Sequence, residues 1–271
     1  MRGGVDWPVV RAIFYKDVLA SRRSKSVYLP ILLVPLALLV VLPALLAFFA
    51  RFAQTPDLSS LLDRFPGSLS RELAKMPPNR QLIELVLGYL AAPLFLVVPM
   101  MVSTALAADA LAGEKERRTL ESLLHLPIQM KELFLAKIGF AFIPSLVVSW
   151  VGFLLYAITV NLIAWPIMGR IFVPNMRWGV LIVVVAPAVA AVGLGVMVRV
   201  SARANSSQEA NQLGGAVIVP LILASVGQTS TLLLLAPQWI LLSGIVIWLV
   251  AAILIHGGMK RFTRDRVASR L

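Results

Sequence analysis

The sequence has no cysteine and few charged side chains. None of its 271 residues is Cys, and only 14% are Asp, Glu, Lys or Arg, against about 25% in soluble domains. The lack of cysteine excludes disulfide bonds and thiolate-bound metals. Hydrophobic residues make up 59% of the chain and the mean hydropathy is +0.87, so the composition indicates a membrane protein.

The scarcity of charge leaves five long stretches with no Asp, Glu, Lys or Arg. Four of them have 21 to 32 residues, and the fifth, 211–259, has 49. A helix that crosses a bilayer needs roughly 20 residues. Because 49 residues make about 74 Å of helix, the fifth stretch must fold back once. Six spans are therefore predicted, at about residues 27–50, 83–109, 132–163, 178–199, 211–232 and 238–259.

Lys and Arg are distributed unequally between the two sides of the predicted bundle. With six spans both termini lie on one side, and that side carries 18 of the 25 Lys and Arg residues. Because positively charged loops stay in the cytoplasm, this predicts cytoplasmic N- and C-termini. The net charge of +12 then reflects topology and attraction to anionic lipid, and no nucleic-acid partner is expected.

The sequence thus predicts an all-α polytopic membrane protein in two parts. Residues 1–25 form an amphipathic helix in the cytoplasmic interface, and residues 26–271 form the six-helix transmembrane domain. Loop 51–82 lies on the outer side and contains two short amphipathic helices. The apolar face of the interfacial helix consists of Val9, Val10, Ile13, Phe14, Val18 and Leu19.

Residues able to catalyse a reaction are scarce. The two histidines, His125 and His256, have no carboxylate at metal-ligand spacing, and Asp109 at the end of the second span is expected to be solvated. The phosphate-binding motif G-x-x-x-x-G-K-[ST] is absent. We therefore predict that the chain is not an enzyme, has no catalytic residue, and binds no metal or cofactor itself.

Weakly polar side chains stand inside the predicted spans. Such groups either hydrogen-bond neighbouring helices or line a translocation path, and the sequence leaves both interpretations open. A carrier driven by ions would need buried carboxylates, which these spans lack. The candidates for the path are Ser103, Thr104, Ser145, Ser149, Asn161 and Ser225.

A charged stretch between the second and third spans, residues 113–127, reads GEKERRTLESLLHLP. Thr119 can cap a short helix over 119–127, in which leucines at i, i+3 and i+4 share one face. The pattern fits either a solvated loop or a helix that docks on a cytoplasmic partner, with leucine anchors and flanking charges.

This stretch resembles the segment between the second and third spans of ABC-2-type transporter permeases. That family shows a Gly-Glu-x-Glu-x-x-Thr-Leu-Glu-x-Leu-Leu pattern followed by a proline. A second patch, 207–215 with Pro220, resembles the start of the family's fifth span. The residues that fit the first pattern are Gly113, Glu114, Glu116, Thr119, Leu120, Glu121, Leu123, Leu124 and Pro127.

The resemblance implies the permease subunit of an ATP-driven exporter in a prokaryotic cell membrane. Such permeases work with two copies of a separate ATPase, which binds ATP and Mg²⁺, and with a second permease subunit, identical or homologous. Helix 119–127 would then be the coupling helix. The alternatives are a carrier that is not coupled to ATP and a scaffold subunit that anchors a cytoplasmic partner. The implied coupling residues are Glu114, Glu116, Arg117, Arg118, Thr119, Leu120, Glu121, Leu123, Leu124 and Pro127.

Overall fold

The computed structural model describes residues 5–50, 67–116, 128–204, 206–234 and 237–261. Throughout these ranges the regular secondary structure is helical, which confirms the predicted all-α class. The α-helices in them are α1 (Trp7–Arg23), α2 (Lys25–Leu36), α3 (Leu42–Ala50), α4 (Gly67–Ala74), α5 (Pro78–Ile83), α6 (Leu94–Glu116), α7 (Met130–Met168), α8 (Met176–Val180), α9 (Ala186–Ser201), α10 (Ser207–Leu234) and α11 (Pro237–Arg261).

Within the described residues, five helical segments are long and apolar enough to cross a membrane. Each corresponds to one predicted span, but the second and third, with 37 and 39 residues, extend beyond the predicted bounds at both ends. The predicted fifth span, 211–232, falls in α10, and the count of six stays a prediction. The five segments are Tyr28–Ala50, Pro78–Glu114, Met130–Met168, Met176–Ser201 and Pro237–Met259.

Three of these segments contain a π-helical turn, and each turn includes the residue four positions before a proline. Proline has no N–H group, so the carbonyl four residues earlier loses its usual donor. The wider turn shifts the hydrogen bonds by one residue, as when the Leu42 N–H bonds to the Ala37 carbonyl. The pairs are Leu39 with Pro43 in Ala37–Val41, Tyr89 with Pro93 in Glu84–Leu90, and Val183 with Pro187 in Leu181–Val185.

The predicted second span is broken just before α6. In a regular α-helix the N–H groups of Ala91 and Ala92 would bond to the carbonyls of Leu87 and Gly88. Here both N–H groups bond to other carbonyls. A buried carbonyl without a donor costs several kcal/mol in an apolar environment, so Leu87 and Gly88 require donors from elsewhere.

Two aromatic side chains supply those donors. Tyr156 on α7 donates its hydroxyl to the Leu87 carbonyl, and the indole N–H of Trp178 on α8 donates to the Gly88 carbonyl at 3.0 Å. Both side chains are fully buried and lie against the ring of Phe95, with centroid distances of 4.8 and 5.0 Å. They tie three helices together at this end of the bundle, which we call the distal end.

Polar contacts also hold the loop that follows α7 at the distal end. The Asn161 side chain accepts from the Phe172 N–H at 3.0 Å and donates to the Val173 carbonyl. Arg170 forms an ion pair of 3.0 Å with Glu84 in the second segment. The loop is therefore bonded both to its own helix and to the broken span.

The second and fourth membrane segments form the centre of the bundle. In each, 72% of the most apolar window is buried, against at most 28% in the other three. Small residues allow the helices to approach closely: a Cβ atom at Gly193 would lie 2.9 Å from Thr104 Cγ2, and one at Gly152 would lie 2.5 Å from Leu39 Cδ1. The remaining segments surround this centre and expose apolar side chains outward.

Helix α1 packs on the start of α7. Ile13 is buried together with Leu133 and Ala136 of α7, and a Cβ atom at Gly139 would lie 3.7 Å from the ring of Phe14. The apolar face predicted for an interfacial helix is therefore used largely within the protein.

The predicted connections between spans have mixed outcomes. In the outer loop 51–82, the second amphipathic helix is present as α4, with Leu73 buried, while the first lies outside the described residues. The region 227–239, where the chain is predicted to fold back between the fifth and sixth spans, is helical at its start, because α10 continues to Leu234, and α11 begins at Pro237.

Replacing Trp178 by Phe should lower the free energy of unfolding by about 1–3 kcal/mol, because the aromatic packing is kept while the buried Gly88 carbonyl loses its donor. Thermal unfolding of the detergent-solubilised protein measures the effect. Trp165→Phe is the matched control, since Trp165 is 54% exposed. Equal stability of the two variants would contradict the role assigned to the indole N–H.

Candidate functional site

Four charged side chains from three helices meet at the end of the bundle opposite Trp178. The Lys137 ammonium on α7 lies 2.8 Å from Asp17 Oδ2 on α1 and 2.7 Å from Glu114 Oε1 on α6. Lys16 on α1 lies 2.6 Å from the same Glu114 oxygen and 3.3 Å from Asp17 Oδ1. We call these four residues the basal ion cluster and this end of the bundle the basal end.

Three members of the basal ion cluster are removed from solvent. The side chains of Lys137, Asp17 and Glu114 are 2%, 6% and 6% exposed, whereas that of Lys16 is 46% exposed. Such burial is costly for each charge alone and is tolerated because opposite charges lie within hydrogen-bond distance. The cluster is therefore a specific joint between helices rather than a solvated surface pair.

The ammonium group of Lys16 is stabilised in its charged form. Burial acts to lower its pKa, but the hydrogen bond and charge of Glu114, together with the charge of Asp17, outweigh burial, so the pKa of Lys16 lies above its usual value. A raised pKa means that the stability Lys16 contributes is fully present at neutral pH. It is lost only when the pH rises through that raised pKa.

Local sequence explains how α1 and α7 bring their charges together. In α1, Asp17 stands one turn after Ile13, so it shares the side that packs on α7. Helix α7 starts with a capping box in which Glu132 bonds to the Gln129 N–H. Glu132 Oε1 also accepts from the Asp6 N–H at 2.9 Å. The first residues of both helices are thus fixed together.

Asp109 lies beside the basal ion cluster and is only 6% exposed. The expectation that it is solvated is wrong, because α6 does not end there but continues for two further turns. Its Oδ1 would be 3.0 Å from a Cβ atom at Gly113, which explains glycine at that position. Asp109 and the four cluster residues, with Ala20, Ala110 and Phe140, line a cavity of about 180 Å³.

Glu116 joins the end of α6 to a further helix. Its Oε2 accepts from the N–H of Ser207 at 3.0 Å and from the hydroxyl of Ser207 at 3.1 Å. Ser207 is the first residue of α10, where N–H groups lack intrahelical partners and negative charge is favourable. Glu114 and Glu116 therefore connect α6 to α1, α7 and α10.

Only the first part of the predicted coupling stretch can be compared with the structure. Glu114 and Glu116 have the partners within the chain given above, and their contact with an ATPase stays a prediction. The remaining predicted coupling residues lie outside the described residues: Arg117, Arg118, Thr119, Leu120, Glu121, Leu123, Leu124 and Pro127.

The polar residues predicted for a translocation path mostly bond within the bundle. The Ser103 hydroxyl donates to the Ala190 carbonyl of α9 at 2.9 Å, and Thr104 donates to a carbonyl of its own helix at 2.9 Å. Ser145 bonds to its own helix at 2.7 Å, and Ser149 is fully buried. Asn161 holds the distal loop, and the side chain of Ser225 is not described; a role of these residues in a path stays a prediction.

Lys16, Asp17 and Lys137 are site residues that sequence reasoning missed. Each could be assigned to a solvated side of its helix, because α1 meets its partners on α6 and α7 through pairs that are 98 and 120 residues apart. One signal was available: Lys137 follows the apolar run 133–136 and immediately precedes 32 uncharged residues. Among the described residues, no group of three His, Cys, Asp or Glu side chains could hold a metal ion.

Comparison with known protein families identifies a match over most of the chain. The sequence model described as ABC-2 family transporter protein matches residues 11–239, which is most of the chain and includes the basal ion cluster. No curated protein matches the chain significantly.

Replacing Lys137 by Met should lower the free energy of unfolding by about 3 kcal/mol, because Asp17 and Glu114 stay buried after losing a shared counter-ion. Lys131→Met, at an exposed position two turns earlier in α7, is the matched control and should change stability by less than about 0.5 kcal/mol. Thermal unfolding in detergent compares them. If the two variants unfold together, Lys137 does not stabilise the joint.

Proposed function

The chain belongs to the ABC-2 family of transporter proteins, and we propose that it exports its substrate with energy from ATP hydrolysed by a separate ATPase subunit. Membership implies a membrane permease of an ABC transporter, and permeases of this family work with ABC ATPases. Export, coupling to ATP and the composition of the complex are the parts we propose. The proposed complex has two ATPase copies, which bind ATP and Mg²⁺, and a second permease subunit.

The observation that carries this proposal is the way residues 117–127 are attached to the bundle. Immediately before them, Glu114 bonds to Lys16 and Lys137. Immediately after them, Glu132 bonds to the Asp6 N–H. The two flanks of the stretch are therefore joined to α1 at Lys16 and to Asp6, the residue directly before α1, ten positions apart. A force applied to this stretch by a partner acts on several helices at once.

A third contact, made by Glu116, extends the attachment of this stretch to α10. Because Glu116 holds the first residue of α10 through two hydrogen bonds, displacement of the end of α6 also displaces the start of that helix. The stretch 119–127 is proposed as the coupling helix, with its leucines in a groove of the ATPase and Glu121 at the rim. ATP in the partner would then bias two arrangements of the bundle.

The site favours a transport subunit over an enzyme. The charges of the basal ion cluster are neutralised by one another, and hydrolysis is assigned to the partner because the sequence lacks the phosphate-binding motif. We place the protein in the cytoplasmic membrane of a prokaryote, with α1 and the basal end in the cytoplasm. This orientation follows from the excess of Lys and Arg on that side.

The double variant Glu121→Arg with Leu124→Glu should lose the ATPase. Each change opposes a contact proposed for the coupling helix, one by reversing a rim charge and the other by placing a charge at an apolar anchor. The chain is co-expressed with the ATPase encoded beside it and purified in mild detergent, and retained ATPase is quantified. Arg203→Glu, a charge reversal on an exposed residue at the end of α9, is the control and should retain it.

Three results of this experiment are informative. Loss of the ATPase only in the double variant supports a coupling helix. Retention in both variants means that the contact lies elsewhere on the chain. Absence of any ATPase with the unmodified chain removes the basis for ATP coupling and leaves a carrier without ATP coupling.

The proposed orientation is tested by cysteine labelling, in which the introduced residue is the only thiol of the purified chain because the sequence has no cysteine. Met176→Cys at the distal end, where Met176 is 73% exposed, should react with a membrane-impermeant maleimide in intact cells. Gln208→Cys, exposed at the basal end, should react only after the membrane is permeabilised. The opposite pattern would invert the topology and place residues 117–127 out of reach of a cytoplasmic ATPase.

A further inference from the structure

One side of α1 carries aromatic and basic residues that are exposed along the whole helix. Trp7, Tyr15 and Leu19 are 67%, 55% and 55% exposed, and Arg11 and Arg22 are exposed as well. Positions 7, 11, 15 and 19 follow one another at four-residue spacing, so they share one side of the helix. We call these five residues the outer face of α1.

The outer face is positively charged. The Arg11 guanidinium lies 5.8 Å from the centre of the Tyr15 ring, an arrangement that keeps both groups at the surface. The sequence of α1 contains a single carboxylate, Asp17, and this side chain is buried and paired with Lys137 on the opposite side. The outer face therefore attracts anionic groups without competition from an acidic residue of its own helix.

The position of α1 places this face at the boundary of the membrane. Only Ser24 separates Arg23, the last residue of α1, from α2, which leads into the segment Tyr28–Ala50. Asp17 is paired with Lys137, the last charged residue before the 31 uncharged residues that complete α7. Both connections set α1 at the level where hydrocarbon gives way to water.

We propose that the outer face of α1 binds anionic phospholipid headgroups. Arg11 and Arg22 would bond to lipid phosphates, while Trp7, Tyr15 and Leu19 lie between the headgroups and the start of the acyl chains. Trp and Tyr are enriched at this depth of a membrane. Helices with basic, aromatic and leucine residues on exposed sides bind anionic interfaces.

Lipid fits this face better than an acidic surface of a partner protein does. The face continues into the exposed apolar side chains at the start of the first span, Tyr28, Leu29 and Leu32 at 44%, 45% and 48% exposure. In a membrane protein such a surface contacts acyl chains.

Helix α1 thus has two contacts: its buried side fixes it to α7 through the basal ion cluster, and its outer face anchors that joint to the lipid. This inference does not depend on the transport activity.

The test uses the full chain in lipid nanodiscs. Ala12→Cys, exposed on the same side of α1, carries a fluorophore and leaves all five residues of the outer face in place. The bilayer contains three parts phosphatidylcholine and one part phosphatidylglycerol, and brominated acyl chains that quench the fluorophore are carried by one lipid or the other. Gln208→Cys, exposed at the start of α10, is the matched label in water.

We expect bromine to quench the label at residue 12 strongly and the label at residue 208 weakly. Brominated phosphatidylglycerol should quench residue 12 more than its share of the bilayer predicts. Arg11→Glu should lower this preference roughly fivefold, the effect of about one basic contact at an anionic surface. Arg203→Glu, in the turn after α9, should leave the preference unchanged.

Two results would overturn the proposal. If quenching at residue 12 is as weak as at residue 208, the outer face lies in water. If, in addition, the label at residue 12 is protected from quenching by aqueous iodide only when the ATPase is bound, the outer face contacts the ATPase instead. If quenching is strong but equal for both lipids with and without Arg11→Glu, the face contacts the bilayer through its apolar residues and does not select anionic headgroups.

Discussion

The basal end of this protein depends on the Lys137 ammonium, which is buried between carboxylates from two other helices. A charge in that position is stable only while both carboxylates remain in contact with it. Helix α1, the end of α6 and the start of α7 are consequently held in one arrangement. Apolar packing of Ile13 on α7 would allow α1 to slide, whereas the ion pairs define a single register.

At the distal end, neutral groups meet the same requirement that a buried polar group has a partner. There the break before α6 leaves the buried carbonyls of Leu87 and Gly88 without donors from their own helix, and the side chains of Tyr156 and Trp178 donate to them. Between the two ends the helices pack closely at small residues such as Gly152 and Gly193, and the Ser103 hydroxyl donates across to the Ala190 carbonyl. Ion pairs therefore fix the basal end of the bundle, and neutral hydrogen bonds fix the distal end.

The fold was more predictable from sequence than the site. Long uncharged runs reveal membrane helices because a span needs nothing beyond length and apolarity. In the basal ion cluster, α1 is joined to α6 and α7 by pairs that are 98 and 120 positions apart, and no local pattern encodes such pairing. Asp109 was misjudged for a related reason: an uncharged run shows where hydrocarbon ends, but the helix and the protein interior continue past it. The prolines are visible in the sequence, but whether a proline produces a kink or a π-helical turn depends on the neighbouring helices.

The proposed function gives the stretch 117–127 a mechanical role. It is bounded by Glu114 and Glu132, and both carboxylates bond to α1, one to Lys16 and the other to the Asp6 N–H. Helix α1 therefore closes a ring with α6, the stretch itself and α7. A partner that moves the stretch must either carry α1 along or break buried ion pairs. Because the second course is costly, we expect the ring to move as a unit in the proposed complex, so that one contact with the stretch displaces several helices.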